Sequence, residues 1–226
     1  EEYRLKYITR FEPSYAIGQG AVAISQVENE VGRMLGMVEK NISHSYDILM
    51  KYDEKELKKI RERETYIDYL NQEIAGYIVS LMANEMSMSD SRQINGYYVI
   101  ISNLERIGDH AVNLAGYAKD LKDWNGEFSD IAKDDLKNMK KQCLDALHIL
   151  NRQEGDLPAI IMNQAAAMEQ KIDDTREKYF KKQMQRLKKG KCRPQSGIVF
   201  TEILTDFERI GDHVKNIAEQ YVEMEN

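Results

Sequence analysis

The chain has 226 residues, 42% of them apolar, with 32 lysines and arginines against 38 aspartates and glutamates. A net charge of −6 lacks the basic excess that neutralises a phosphate backbone, so nucleic acid is not an expected partner. Three prolines and 13 glycines are too few for turn-dense all-β architecture, and a chain of this length buries enough surface to fold without disulfides or structural metal. Cys143 and Cys192 show no CxxC or Cys/His ligand spacing, which suits a reducing compartment and excludes a cysteine zinc module. No window supplies the roughly 20 apolar residues of a membrane helix, and no secretory signal opens the chain. Because the first residue is Glu1 and not Met, a piece of a longer protein, with a membrane-embedded portion removed, is an expectation.

Helical periodicity divides the chain into six long segments. After an extended start, EEYRLKYITRFEPS, Pro13 and Ser14 open a first helix that runs to about Lys51, with Val27, Val31, Met34, Val38, Ile42 and Ile48 or Leu49 on one face. Asp53 is an N-cap candidate for a second helix to about Asn84, striped by Ile60, Ile67, Ile74, Ile78 and Leu81. A break at Met86–Ser89 precedes a third helix from Ser89 or Asp90 to about Lys122, with Ile94, Tyr97, Ile101, Leu104 and Ala111 inward. The segment DWNGEFSD reads as a linker. Three more helices follow, from about Ser129 to Asn151, Asp156 to Lys189 and Gln195 to Glu225, with breaks at Gly155 and GKCRP.

Three helices, a linker and three helices suggest an internal duplication, and the residues bear this out. ERIGDHAVNLA at 105–115 and ERIGDHVKNIA at 208–218 share eight of eleven positions at an offset of 103. The expected fold is all-α: two tandem three-helix bundles over 19–122 and 129–226, with 1–18 as a linker or membrane-proximal segment.

The chemistry lies in that repeat. Glu105 with Asp109, and Glu208 with Asp212, are spaced i,i+4, so each pair leaves one side of its helix about 6 Å apart. A second ExxxD lies in the preceding helix of each half: Glu64 with Asp68, and Glu169 with Asp173. If each helix pair folds as an antiparallel hairpin, the first four acids share a midpoint between Met86 and Ser87, and the second four share one between Gly190 and Lys191. Both midpoints fall on breaks inferred separately from composition. The residues before the acids are Leu104, Gly108, Phe207, Gly211, Met168 and Ile172, with Arg63 and Ile67 in the remaining pair. Except for Arg63 they are apolar or glycine, which puts the acids beside the packing seam. Mid-helix Gly108 and Gly211 each cost about 1 kcal/mol relative to alanine and mark close approach or a site.

Four converging carboxylates must take up protons, spread apart or hold a multivalent cation. An oxygen-only set favours hard or borderline ions, so the expected cofactors are metal ions: iron, manganese, zinc or magnesium. His110, His213, Asn113 and Asn216 are expected as secondary ligands or outer donors.

These two ERIGDHxxN elements, each preceded by a helix carrying ExxxD, resemble the PhoU family, whose members duplicate a three-helix bundle and bear ExxxD metal-cluster motifs. The resemblance runs from about Gln19 to the end. It gives Glu105, Asp109, Glu208 and Asp212 the family's motif positions, and Glu64, Asp68, Glu169 and Asp173 the partner positions. The segment before VENEVGRMLGMVEKN and the break before VFTEILTDFERIGDH look most like the cytoplasmic PhoU-like tail of a bacterial Na/Pi cotransporter. The resemblance implies a metal-binding regulatory domain, not an enzyme, acting on a membrane phosphate transporter of the same polypeptide at the cytoplasmic face of the plasma membrane. Phosphate is an implied ligand, and a homodimer is left open. The alternative is a free-standing PhoU-type regulator of ABC phosphate transport and its sensor kinase.

A di-metal carboxylate enzyme is the weaker alternative, because such sites use Glu-x-x-His and no histidine here has Glu three residues before it. One departure from the family pattern is the basic run KYFKKQMQRLKKGKCR. Helix-dipole preference for lysine near a C-terminus explains it most simply, and contact with acidic lipid or a transporter loop is the other reading.

Overall fold

The structure is a computed structural model that describes residues 2–9, 20–151 and 155–226. The described residues form six helices and no strand: α1 (Gly20–Met50), α2 (Glu54–Met82), α3 (Met88–Asp123), α4 (Asp130–Ile149), α5 (Pro158–Lys188) and α6 (Pro194–Glu225). The helix entry expected at Pro13 and Ser14 lies outside the described residues.

Local chemistry sets most boundaries. The Asp53 side chain accepts from the amides of Lys55 and Glu56 at 2.8 and 3.1 Å and caps α2. Ser87 and Ser129 do the same for α3 and α4 through the amides of Asp90 and Ala132. Helix α3 thus begins slightly earlier than periodicity suggests, because Ser87 and not Ser89 is its cap. Proline occupies the first turn of α5 and α6, where its missing N–H costs nothing. Two helices end through a left-handed residue: Asn125 (φ 50°) after α3 and Gly190 (φ 62°) after α5. In each case the next amide, of Gly126 or Lys191, returns to a carbonyl five residues back, at 2.8 and 2.9 Å.

Every residue of the three predicted stripes on α1, α2 and α3 is buried. Within the halves α1, α2 and α3 pack together, as do α4, α5 and α6. Between the halves α3 packs along α6, and α1 meets α4, so the buried residues form one continuous core. The helices that carry the ERIGDH repeats are therefore the central pair. Each has two faces to serve: one toward its own hairpin partner, α2 or α5, and one toward the other repeat helix. The basic stretch ending α5 is partly consumed inside the fold. Lys182 Nζ lies 2.9 Å and Arg186 Nη1 3.5 Å from the buried Asp135 carboxylate.

Candidate metal centres on two helix seams

In the α2–α3 seam, Glu64, Asp68 and Asp109 each place a carboxylate oxygen within 4.8 Å of the others. The α5–α6 seam repeats the arrangement with Glu169, Asp173 and Asp212. The hairpin register read from the sequence thus brings together three of four acids in each half. Glu105 and Glu208 stand outside the trios. Glu105 still feels the cluster: burial, then Asp109, then Asp68 push its carboxyl up. Glu208 is drawn to Arg176, whose Nε lies 3.2 Å from its Oε2.

Both oxygens of Glu64, and Oδ1 of Asp68 and of Asp173, are buried without a hydrogen-bond donor. A carboxylate in that state is costly unless it is protonated or given a cation. Burial, followed by the charges of Asp68 and Asp109, pushes the Glu64 carboxyl up to about 8. Asp173 is pushed up to about 6, by burial and then by Glu169 and Asp212. Asp68 and Asp212 are raised for the same leading reason, burial. Orphaned, converging and oxygen-only donors fit a hard multivalent cation and suit zinc least among the four expected ions.

The two glycines do different jobs. A β-carbon on Gly108 would lie 3.0 Å from Glu64 Oε2, so this glycine lets an acidic side chain reach the α3 backbone. A β-carbon on Gly211 would meet Ile172 Cδ1 at 3.1 Å, so that glycine admits a core side chain. In both halves the glycine marks close helix approach, as expected from its cost.

The structure moves His110, His213, Asn113 and Asn216 away from the role expected for them. His110 Nδ1 is 2.8 Å from Asp206 Oδ1, and Asn113 Nδ2 donates to the same oxygen at 3.1 Å. His213 Nδ1 is 3.0 Å from Asn103 Oδ1, with Asn216 Nδ2 at 3.4 Å. The two imidazoles stack at 5.6 Å. These side chains fasten α3 to α6 across the molecule's centre. A residue next to Asp109 on a helix is turned about 100° from it, which carries His110 off the acidic seam and onto the other one.

Sequence reading overlooked Arg176, Lys215, Asp206 and Asn103. Asn103 and Asp206 are themselves related by the 103-residue offset, so aligning the repeats two residues further back would have paired them. Lys215 Nζ lies 3.4 Å from Glu169 Oε1. Arg176 and Lys215 each follow a cluster aspartate by three residues, the spacing that returns a side chain to the same helix face.

With this geometry in hand, comparison with known proteins is decisive. The PhoU domain matches twice, over residues 31–118 and 133–221. The chain belongs to the PhoU family. It is 27% identical over 208 residues to a phosphate-specific transport system accessory protein PhoU homolog of Clostridium acetobutylicum, covering 88% of this chain and 90% of that one. A PhoU homolog 1 of Thermotoga maritima is 24% identical over 205 residues, with 89% and 87% covered. The fold matches crystal structures of PhoU from Pseudomonas aeruginosa (TM-score 0.75, 22% identity, 91% of this chain and 98% of that one) and of a phosphate transport system regulatory protein PhoU from Streptococcus pneumoniae (TM-score 0.78, 22% identity, 92% and 97%). These relatives are named as accessory or regulatory proteins of phosphate transport, not as cotransporter tails, so the cotransporter resemblance finds no support among them. Among the described residues no helix is long and apolar enough to cross a membrane.

Proposed function

We propose that this PhoU-family chain is a metal-binding regulator of phosphate uptake that acts as a free-standing accessory of a phosphate transport system at the cytoplasmic face of the plasma membrane. The observation that carries the metal-binding part is the pair of carboxylate clusters whose buried oxygens lack donors. Glu64, Asp68 and Asp109 would hold one ion or cluster, and Glu169, Asp173 and Asp212 another, with Glu105 and Glu208 closing each set. Iron, manganese or magnesium suits the donors best. When bound, such cations supply positive charge on a surface that phosphate oxygens can approach, which is how the chain would sense phosphate. The names of its relatives support the transport role. The bundles of residues 19–122 and 129–226 would each contribute one metal site.

Calorimetric titration of phosphate into the metal-loaded chain, and into a Glu64→Gln, Asp109→Asn variant, tests the sensing step. A response weakened in the variant supports it, and equal responses remove it. The cotransporter-tail reading rests on the segment before α1 and on the α5–α6 break. An immunoblot of cell membranes separates the two readings. A species near 26.3 kDa that high salt washes away fits the accessory protein, and a much larger band that resists the wash fits the tail.

A further inference from the structure

Away from both acidic seams, α1, α2 and the segment 2–9 enclose a cleft of about 750 Å³. Its walls include Lys6, Arg33, Lys40 and Arg63, with Tyr3 and Tyr66 beside them. Arg63 is the one residue that broke the apolar rule in the sequence, and here its position is explained. It leans to α1, where Nη1 donates at 2.7 Å to Oδ1 of Asn41, a side chain with no exposed surface. Asn41 in turn donates to the Ile60 carbonyl at 3.2 Å, so the guanidinium is held from below.

The far wall is also built. Wholly buried Glu30 accepts from the amides of Lys6, Tyr7 and Ile8 and from Arg33. Arg33 Nη2 and the Tyr66 hydroxyl both donate to the Arg4 carbonyl, at 2.8 and 2.9 Å. Glu30 neutralises Arg33. Among the described residues, Lys6, Lys40 and Arg63 have no carboxylate partner, and Glu62 is the one acid on the rim, so three cations less one anion leave the cleft at +2. That charge sits on a chain of −6 overall. The floor is open: a β-carbon on Gly36 would meet nothing within 4 Å, although a glycine inside a helix costs about 1 kcal/mol.

We propose that this cleft binds a phosphorylated organic anion of nucleotide size, with the phosphoryl groups on Lys6, Lys40 and Arg63 and the organic body against Tyr3 and Met37. Unpaired ammonium and guanidinium groups recognise phosphoryl oxygens through charge-assisted bonds. The volume falls in the range of small-molecule sites and far exceeds what orthophosphate fills. Tyr3 packs edge-on against Tyr66, with centroids 4.9 Å apart, and keeps 38% of its surface exposed for stacking. The site is independent of the metal clusters, so the chain would read a second phosphate-bearing signal.

The test is calorimetry on the full chain in EDTA, with ATP, pyrophosphate, adenosine and orthophosphate as probes. ATP binds saturably, pyrophosphate about tenfold more weakly, and adenosine and orthophosphate not at all in the millimolar range. The exposed pair Lys6→Glu, Lys40→Glu weakens ATP at least about 100-fold, as expected for two lost and reversed charge contacts. Gly36→Leu fills the cleft and abolishes binding, Gly36→Ala retains it, and Glu64→Gln, Asp109→Asn leaves it unchanged. Absence of saturable ATP and pyrophosphate binding overturns the proposal, as does undiminished binding in the lysine variant. Pyrophosphate binding as tightly as ATP removes the organic body from it. Loss of binding in the Glu64, Asp109 variant would equally defeat the assignment, because in EDTA that seam carries no cation and lies apart from the cleft.

Discussion

The two carboxylate clusters are built on the same motif, yet among the described residues only the second is held by ion pairs to cationic side chains. In the second half, Arg176 reaches Glu208 and Lys215 reaches Glu169. At the matching places in the first half, three residues after Asp68 and Asp109, stand Asn71 and Val112. The first cluster therefore has no ion pair to balance it among the described residues, and its Glu64 is pushed up to about 8, whereas in the second Asp173 is pushed up to about 6. A repeat can thus preserve a donor set while neighbouring residues decide how strongly it calls for a cation. The first cluster should bind metal more tightly.

The largest effect expected is on that difference itself. Titrating manganese into metal-free protein should give a strong and a weaker phase. Glu64→Gln, Asp109→Asn should remove the strong one, weakening it about 100-fold or more, since losing an outer-shell partner alone costs 10–100-fold. Loss of the weak phase instead would reverse the ranking.

Next comes pH. The folded Glu64 carboxyl titrates near 8, above its unfolded value of 4.5. Its contribution to stability is therefore fully present below about 4.5 and is lost as pH rises through 8. In EDTA the melting temperature should fall across that window. Glu64→Gln should flatten the fall and raise the melting temperature at pH 8 by about 4 °C or more. A wild-type curve as flat as the variant's would mean that the cluster is not strained.

A smaller change should come from Arg176→Gln. Removing the cation beside Glu208 should tighten the weak metal phase by about tenfold, because a like charge next to a bound cation is unfavourable. Unchanged or weaker binding would show that Arg176 supports the site. The smallest effect concerns the centre of the fold. Asp206→Ala strands donors from His110 and Asn113 and should cost about 1 kcal/mol in denaturant unfolding. Asp206→Asn copies what Asn103 already does for the other half and should cost less.

Helices and seams were legible in the sequence because period, caps and repeats are local signals. Val27 through Leu49 on α1 and Ile60 through Leu81 on α2 recur at helical spacing, and the acids of each hairpin share a midpoint that composition had marked as a break. His110 and His213 were misjudged because adjacency in sequence is not adjacency on a helix: the second face of α3 and α6 becomes apparent only once the two repeat helices lie against each other. Arg176 and Lys215 were missed for a related reason. Cations on an exposed-looking helix are common, and only the partner helix shows that these two face acids. The cleft between α1 and α2 depends on residues 3–6 folding back, which no periodicity encodes.

The most direct test of the account is a crystal soaked in manganese and measured for anomalous scattering. The account predicts peaks among the Glu64, Asp68 and Asp109 oxygens at lower manganese concentration than among those of Glu169, Asp173 and Asp212. No peak at either cluster at millimolar manganese, with the six carboxylates splayed toward solvent, would contradict it.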